Sequence, residues 1–135
     1  MLYFAYGSNL NKQQMSIRCP KAKALGAAYI VGWRLVFRGV ADIERTNDPS
    51  AMLPVGFWDI TDECLQALDH YEGYPRLYRK VEINGAMTYV MNASGYSPPS
   101  KFYFDGIWRG YSDFGLDQTE LWHAKDWVDE LELAG

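Results

Sequence analysis

Apolar positions along the chain change period several times, and each change marks an element. Residues 2–6 (Leu-Tyr-Phe-Ala-Tyr) form an unbroken apolar run that stops at Gly7, which predicts a short strand. Asn11 stands where a cap would open a helix over Lys12 to Arg18, stopped by Pro20. Residues 23–38 carry Ala28 and Ile30, then Trp33, Leu35 and Phe37 alternating with Arg34, Val36 and Arg38, which predicts a half-buried strand. Gly39 to Pro49 loses its period and gathers turn residues, so it reads mostly as loop. Residues 52–60 resume a strand, and Thr61 or Asp62 caps a helix that ends at Glu72-Gly73, with Gly73 as its C′ residue and Pro75 against continuation.

Leu77 to Ile83 and Ala86 to Met91 flank Asn84-Gly85, the two-residue signature of a hairpin whose turn positions both need φ > 0. After Pro98-Pro99-Ser100 a helical pattern runs to about Gly110. Asp117 then caps a last helix, with Glu120 at capping-box spacing and Leu121, Ala124, Val128 and Leu131 as its buried stripe. Five or so strands and three or four short helices imply an α+β domain. Its strands are mostly antiparallel, because the helix-length crossovers of a parallel sheet are largely missing, and strands at this spacing curl into a small barrel-like core. No repeat, low-complexity tract or linker divides the chain, so residues 1–135 read as one domain.

Composition narrows the partners. With 48% apolar and 16% aromatic residues the chain can bury a core, and its net charge of −4 is scattered. No basic stripe recommends nucleic acid, and no basic amphipathic helix recommends a membrane surface. Cys19 and Cys64 read as reduced, half-buried thiols, and neither they nor His70 and His123 have metal-ligand spacing. Strand-like sequence from residue 2 leaves no room for a signal peptide, and no apolar run reaches transmembrane length, so a soluble, cytoplasmic protein is expected. Oligomeric state is not readable.

Two segments carry candidate chemistry. Leu65, Leu68 and Glu72 stand at i, i+3 and i+7, one stripe of a helix at about 100° per residue, so Glu72 points where the leucines point. A carboxylate placed there has a raised pKa unless it is paired, which suits a general base near neutral pH. Pairing with Arg76, Arg79 or Lys80 would instead make it a structural ion pair, and Asp69 on the stripe's flank is either a carboxylate partner or a solvated edge residue.

The second segment is Tyr6-Gly7-Ser8-Asn9-Leu10. Gly7 and Asn9 tolerate left-handed backbone, and a strand ending in such a turn can aim consecutive N–H groups at one anion. The alternative is an ordinary strand-to-helix turn capped by Asn9 or Asn11. Tyr3, Tyr6, Tyr71, Tyr74 and Tyr78 surround both segments, most of them as core or lining.

Tyr-Phe-Ala-Tyr-Gly-Ser-Asn-Leu (3–10) and Leu-Asp-His-Tyr-Glu-Gly-Tyr-Pro-Arg-Leu-Tyr-Arg (68–79) together resemble the gamma-glutamylcyclotransferase-like family, which includes the AIG2-like proteins. The resemblance continues through Gly56-Phe-Trp-Asp-Ile-Thr, Tyr89-Val-Met-Asn and Pro98-Pro-Ser100, with Tyr103 and Gly110 beyond, and spans about residues 2 to 116. It implies a barrel-like β core flanked by helices and conversion of a small-molecule γ-glutamyl amide into 5-oxoproline and a free amine. By motif position, Glu72 matches the family's catalytic acid/base. Tyr6, Gly7, Ser8, Asn9 and Leu10 match the loop that holds the γ-glutamyl moiety, and Tyr78 matches a tyrosine lining the pocket.

The substrate's own α-amine is the nucleophile, so the implied reaction needs no cofactor, metal or enzyme nucleophile. Nothing names the leaving group; Gly39 to Ile43 is expected to border the site. Two other readings remain: a non-catalytic binding module for a γ-glutamyl or small carboxylate ligand, and a hydrolase or transferase that uses water or an external amine. Only internal attack yields 5-oxoproline.

Overall fold

The computed structural model describes residues 1–135. Its centre is strand β1 (Leu2–Ala5), whose side chains from Tyr3 onward are buried on both faces. That burial explains an apolar run without alternation. β1 pairs antiparallel with β5 (Met52–Asp59) and parallel with β7 (Ala86–Met91). β2 (Lys23–Val31) and β6 (Tyr78–Ile83) complete a sheet of order β2-β5-β1-β7-β6. The sheet is not closed, so the expected barrel-like core is an open mixed sheet within an α+β domain.

Four helices accompany it: α1 (Lys12–Arg18), α2 (Asp62–Glu72), α3 (Lys101–Phe114) and α4 (Thr119–Ala134). A core cluster of 29 buried residues joins the helices to the sheet.

The single strand expected over residues 23–38 is two, broken at Gly32 with φ +88°. β3 (Trp33–Phe37) leaves the main sheet to pair with β4 (Ala41–Arg45), where mostly loop was expected. Charges obscured β4: Asp42 and Glu44 break the apolar period, yet Glu44 is the register partner of Arg34 and ion-pairs with it at 2.6 Å. Val36 is buried too, so β3 is covered on both faces.

Helix α3 continues to Phe114, past Gly110, because that glycine is a close-packing position and not a stop; with α4 it makes the long pair of helices, not short ones. Asp117 accepts a hydrogen bond from the Thr119 N–H at 2.8 Å, but Gln118 occupies the cap of α4, and Leu131 is exposed rather than part of the buried stripe.

The local signals around the site hold. Asn11 caps α1 by accepting from the Gln14 N–H at 3.0 Å, and Thr61 caps α2 by accepting from the Cys64 N–H at 3.1 Å. The β6–β7 hairpin turns on Asn84 and Gly85, with φ +52° and +84°.

Candidate active site

Helix α2 ends with Glu72 because Gly73 adopts left-handed φ +71°, and the Gly73 and Tyr74 N–H groups close onto the His70 and Asp69 carbonyls at 3.2 and 2.9 Å. Leu68 on the same stripe is fully buried, and Glu72 follows it inward to face the end of β1. There a single 3₁₀ turn, Ser8–Leu10, runs from β1 toward α1. The Leu10 and Asn11 N–H groups bond to the Gly7 and Ser8 carbonyls at 3.0 and 3.1 Å, which leaves the Ser8 and Asn9 N–H groups as the free donors of the turn.

Close backbone approach fixes this turn. A Cβ at Gly7 would lie 3.0 Å from Ala41 Cβ, so any larger residue would press the turn away from β4. Leu10 anchors it from below, completely buried between two more glycines. A Cβ at Gly56 would come within 2.8 Å of Leu10 Cδ2, and one at Gly110 within 2.6 Å of Leu10 Cβ. Asn11 Nδ2 adds a hydrogen bond to the Gly106 carbonyl at 3.0 Å. Leu10 is therefore a wedge under the loop: its side chain is outside the cavity and its N–H is already bonded, contrary to the expectation that it holds ligand directly.

The cavity between the turn and α2 has a volume of about 370 Å³. Tyr6, Gly7, Ser8, Asn9, Glu72 and Tyr78 all line it, as do Val40 and Ala41 from the segment expected to border it. Tyr6 donates its hydroxyl hydrogen to the Tyr89 carbonyl at 2.6 Å, and Tyr78 Oη stands 3.5 Å from the Ala41 carbonyl.

Glu72 forms no ion pair. Its Oε1 accepts from Asn9 Nδ2 at 3.3 Å, and Oε2 has no protein partner. Burial pushes its carboxyl up to about 7, while the nearby Arg18 charge and the Asn9 hydrogen bond pull the other way and do not cancel it. A half-buried, unpaired carboxylate thus faces the free N–H groups of a fixed turn. The family model described as "Gamma-glutamyl cyclotransferase, AIG2-like" matches residues 3–109, both segments included. The chain belongs to that family.

Solved structures agree on the fold. An uncharacterized protein from Homo sapiens, loc79017, is similar at 25% identity and a TM-score of 0.77, over 97% of this chain and 85% of that one. A structure described as gamma-glutamyl cyclotransferase is similar at 24% identity and a TM-score of 0.78, over 98% and 86%. YkqA from Bacillus subtilis gives 0.72 at 20% identity, over 96% of this chain and 54% of that longer one. No curated protein matches the sequence.

For this family member the structure also brings in groups that sequence reasoning missed. Tyr103 of α3 lines the cavity, and its hydroxyl accepts from the Ala41 N–H at 2.9 Å, locking the start of β4 against the turn. Tyr89 lines it too and donates to Asp69 Oδ1 at 2.6 Å; Asp69 also holds Lys80 at 2.9 Å, so it is neither a partner of Glu72 nor a free edge residue. Burial raises the hydroxyls of Tyr3, Tyr78 and Tyr103 well above the ordinary tyrosine value, so all stay neutral. Arg18 was the least visible. Its only sequence signal was a place one turn after Gln14 on the helix capped by Asn11.

Both cysteines are buried and free, with Cys19 Sγ 3.5 Å from the Cys64 carbonyl. No helix is long and apolar enough to cross a membrane.

Proposed function

We propose that this protein is a γ-glutamyl cyclotransferase acting on a small-molecule γ-glutamyl amide, with Glu72 as its general acid/base. The supporting observation is geometric: Glu72 is half-buried and unpaired, with Oε2 free, across a cavity from the Ser8 and Asn9 N–H groups. Its value near 7 leaves a useful fraction ionised at neutral pH, as proton transfer requires.

In this reading Glu72 takes a proton from the substrate's α-ammonium group. The freed amine attacks the γ-carbonyl carbon, forming the ring C–N bond and a tetrahedral oxyanion, and the ring nitrogen gives up its second proton to water. Collapse breaks the original amide C–N bond, and the proton held by Glu72 passes to the departing amine. The products are 5-oxoproline and a free amine, and neither cofactor nor metal enters the balance. The turn's N–H groups hold the α-carboxylate or the oxyanion, a role worth about 3 kcal/mol per well-placed donor. Tyr6 and Tyr78 shape the wall that folds the γ-glutamyl arm into a ring-like conformer.

The test is 5-oxoproline release from a panel of γ-glutamyl amino acids and γ-glutamyl amines, wild type beside Glu72→Gln. Release by the wild type, reduced at least about a hundredfold in a folded Glu72→Gln protein, is expected. Equal release by both would remove Glu72 from the mechanism. Free glutamate in place of 5-oxoproline would point to a hydrolase.

A further inference from the structure

Asn9 has an amide whose two ends could be exchanged, and the wrong end would be harmful. Its Nδ2 donates to the Tyr3 hydroxyl at 2.9 Å and to Glu72 Oε1 at 3.3 Å. Turned over, it would set a carbonyl oxygen against the Glu72 carboxylate, two acceptors face to face. Arg18 prevents this: its Nη1 donates to Asn9 Oδ1 at 2.7 Å, a bond only the correct orientation can accept.

The guanidinium is itself over-determined. Its Nη2 donates to Gln14 Oε1 at 2.8 Å, Nη1 also lies 3.4 Å from Ser8 Oγ, and its plane stacks on the Tyr71 ring at 3.8 Å. Tyr71 immediately precedes Glu72 on α2. One side chain of α1 thus grips the turn and the end of α2 together.

We propose that Arg18 is a positioning residue for Glu72: it fixes the Asn9 amide so that Nδ2 occupies Glu72 Oε1, leaves Oε2 for the substrate's proton, and holds one positive charge at the cavity's rim without ion-pairing. This rests on the reading of Glu72 as the base.

Arg18 carries the one charge that acts appreciably on Glu72. The other titratable groups facing that carboxyl are Tyr3 and Tyr6 at β1, Tyr71 beside it on α2, Tyr78 from β6, Tyr89 from β7 and Tyr103 from α3; burial raises Tyr3, Tyr6, Tyr78, Tyr89 and Tyr103, so these stay neutral. Asp69 is turned to Lys80 and Tyr89. Removal of Arg18 therefore leaves burial unopposed by charge, and Glu72 should hold its proton to higher pH.

The experiment uses Arg18→Gln, Arg18→Lys and Gln14→Ala in the full chain, with folding checked by circular dichroism. Two readouts are taken: the Glu72 carboxyl titration by carbon NMR on glutamate-labelled protein, and the pH profile of 5-oxoproline release. In Arg18→Gln the titration and the acid limb of the profile should both move up by about one pH unit, the low end for loss of a nearby opposite charge. The fall in kcat should exceed the change in KM. Arg18→Lys keeps the charge but loses the two-pronged grip, and should restore most of the titration shift and only part of kcat. Gln14→Ala should move the titration less, in the same direction, and decides the matter if Arg18→Gln does not fold.

An unchanged Glu72 titration in these folded variants overturns the inference. A shifted titration in a protein whose wild type releases no 5-oxoproline upholds the positioning and sinks the cyclotransferase reading instead.

Discussion

Glu72→Gln should make the protein more stable at alkaline pH even as it removes activity. Burial moves the Glu72 carboxyl from an ordinary 4.5 to about 7 in the folded chain. The native state therefore binds this proton more tightly than the unfolded state does. The corresponding stability is fully present below about pH 4.5 and is lost as pH rises through about 7. At about 1.4 kcal/mol per pKa unit the full swing is about 3 kcal/mol, of which about 2.5 kcal/mol falls between pH 5 and pH 8.5. Glutamine has the same shape and never ionises. The stability difference, variant minus wild type, should thus grow by about 2.5 kcal/mol from pH 5 to pH 8.5. Urea unfolding followed by tryptophan fluorescence at the two pH values measures it, and every other titrating group cancels in the double difference. Parallel pH curves for the two proteins would refute the reasoning: Glu72 would then not be a desolvated carboxylate, and the argument for it as a base near neutrality would fall with it.

Two further substitutions probe the frame of the site. Gly110→Ala would drive a Cβ to 2.6 Å from Leu10 Cβ and 2.7 Å from the Asn11 backbone nitrogen, neither of which can swing aside. It should cost about 2 kcal/mol in urea unfolding and raise KM by displacing the turn; wild-type stability would show that α3 does not press on Leu10 as described. Asp69→Asn gives up a partly exposed ion pair with Lys80 at 2.9 Å, so about 1 kcal/mol of stability and less than about tenfold in turnover are expected. A loss in steady-state rate equal to that of Glu72→Gln would mean the two carboxylates work as a pair.

Elements governed by local chemistry were legible in the sequence. The caps at Asn11 and Thr61, the left-handed stop at Gly73 and the Asn84-Gly85 turn each depend on a residue and its immediate neighbours. β4 was not legible, because its charges make sense only beside Arg34 on β3 and Arg38 just beyond its end. Asp42 is the extreme case: almost wholly buried, it bonds Arg38 Nε at 2.7 Å and the Met91 N–H at 3.0 Å, tying β4 to the end of β7. The open sheet was hidden for a similar reason, since closure depends on which strands sit at the edges and not on strand spacing. At the site, the stripe through Leu65 and Leu68 aimed Glu72 inward correctly. Gly7 and Asn9 read as left-handed positions, but Gly7 has φ −126° and no residue of the turn is left-handed; the glycine serves close approach to Ala41 instead, and the partners at Gly56, Gly106 and Gly110 were not legible locally.

The sequence also raised a threat that the fold answers. Arg76, Arg79 and Lys80 follow Glu72 closely enough to neutralise it, and a direct pair would hold its carboxyl below the ordinary value. Gly73 turns the chain away first. Lys80 is then taken by Asp69 Oδ2 at 2.9 Å and lies over the Tyr74 ring, while Arg79 donates to the Met91 carbonyl at 2.9 Å. Arg18, from α1, approaches only through the Asn9 amide, a neutral spacer that accepts from the cation on one side and donates to the carboxylate on the other. That spacing decides the outcome. An arginine in contact would overcome the burial of Glu72; one held an amide away only eases it, and the carboxyl settles near 7. The value suited to proton transfer thus comes from where the fold sends its cations as much as from where it buries the acid.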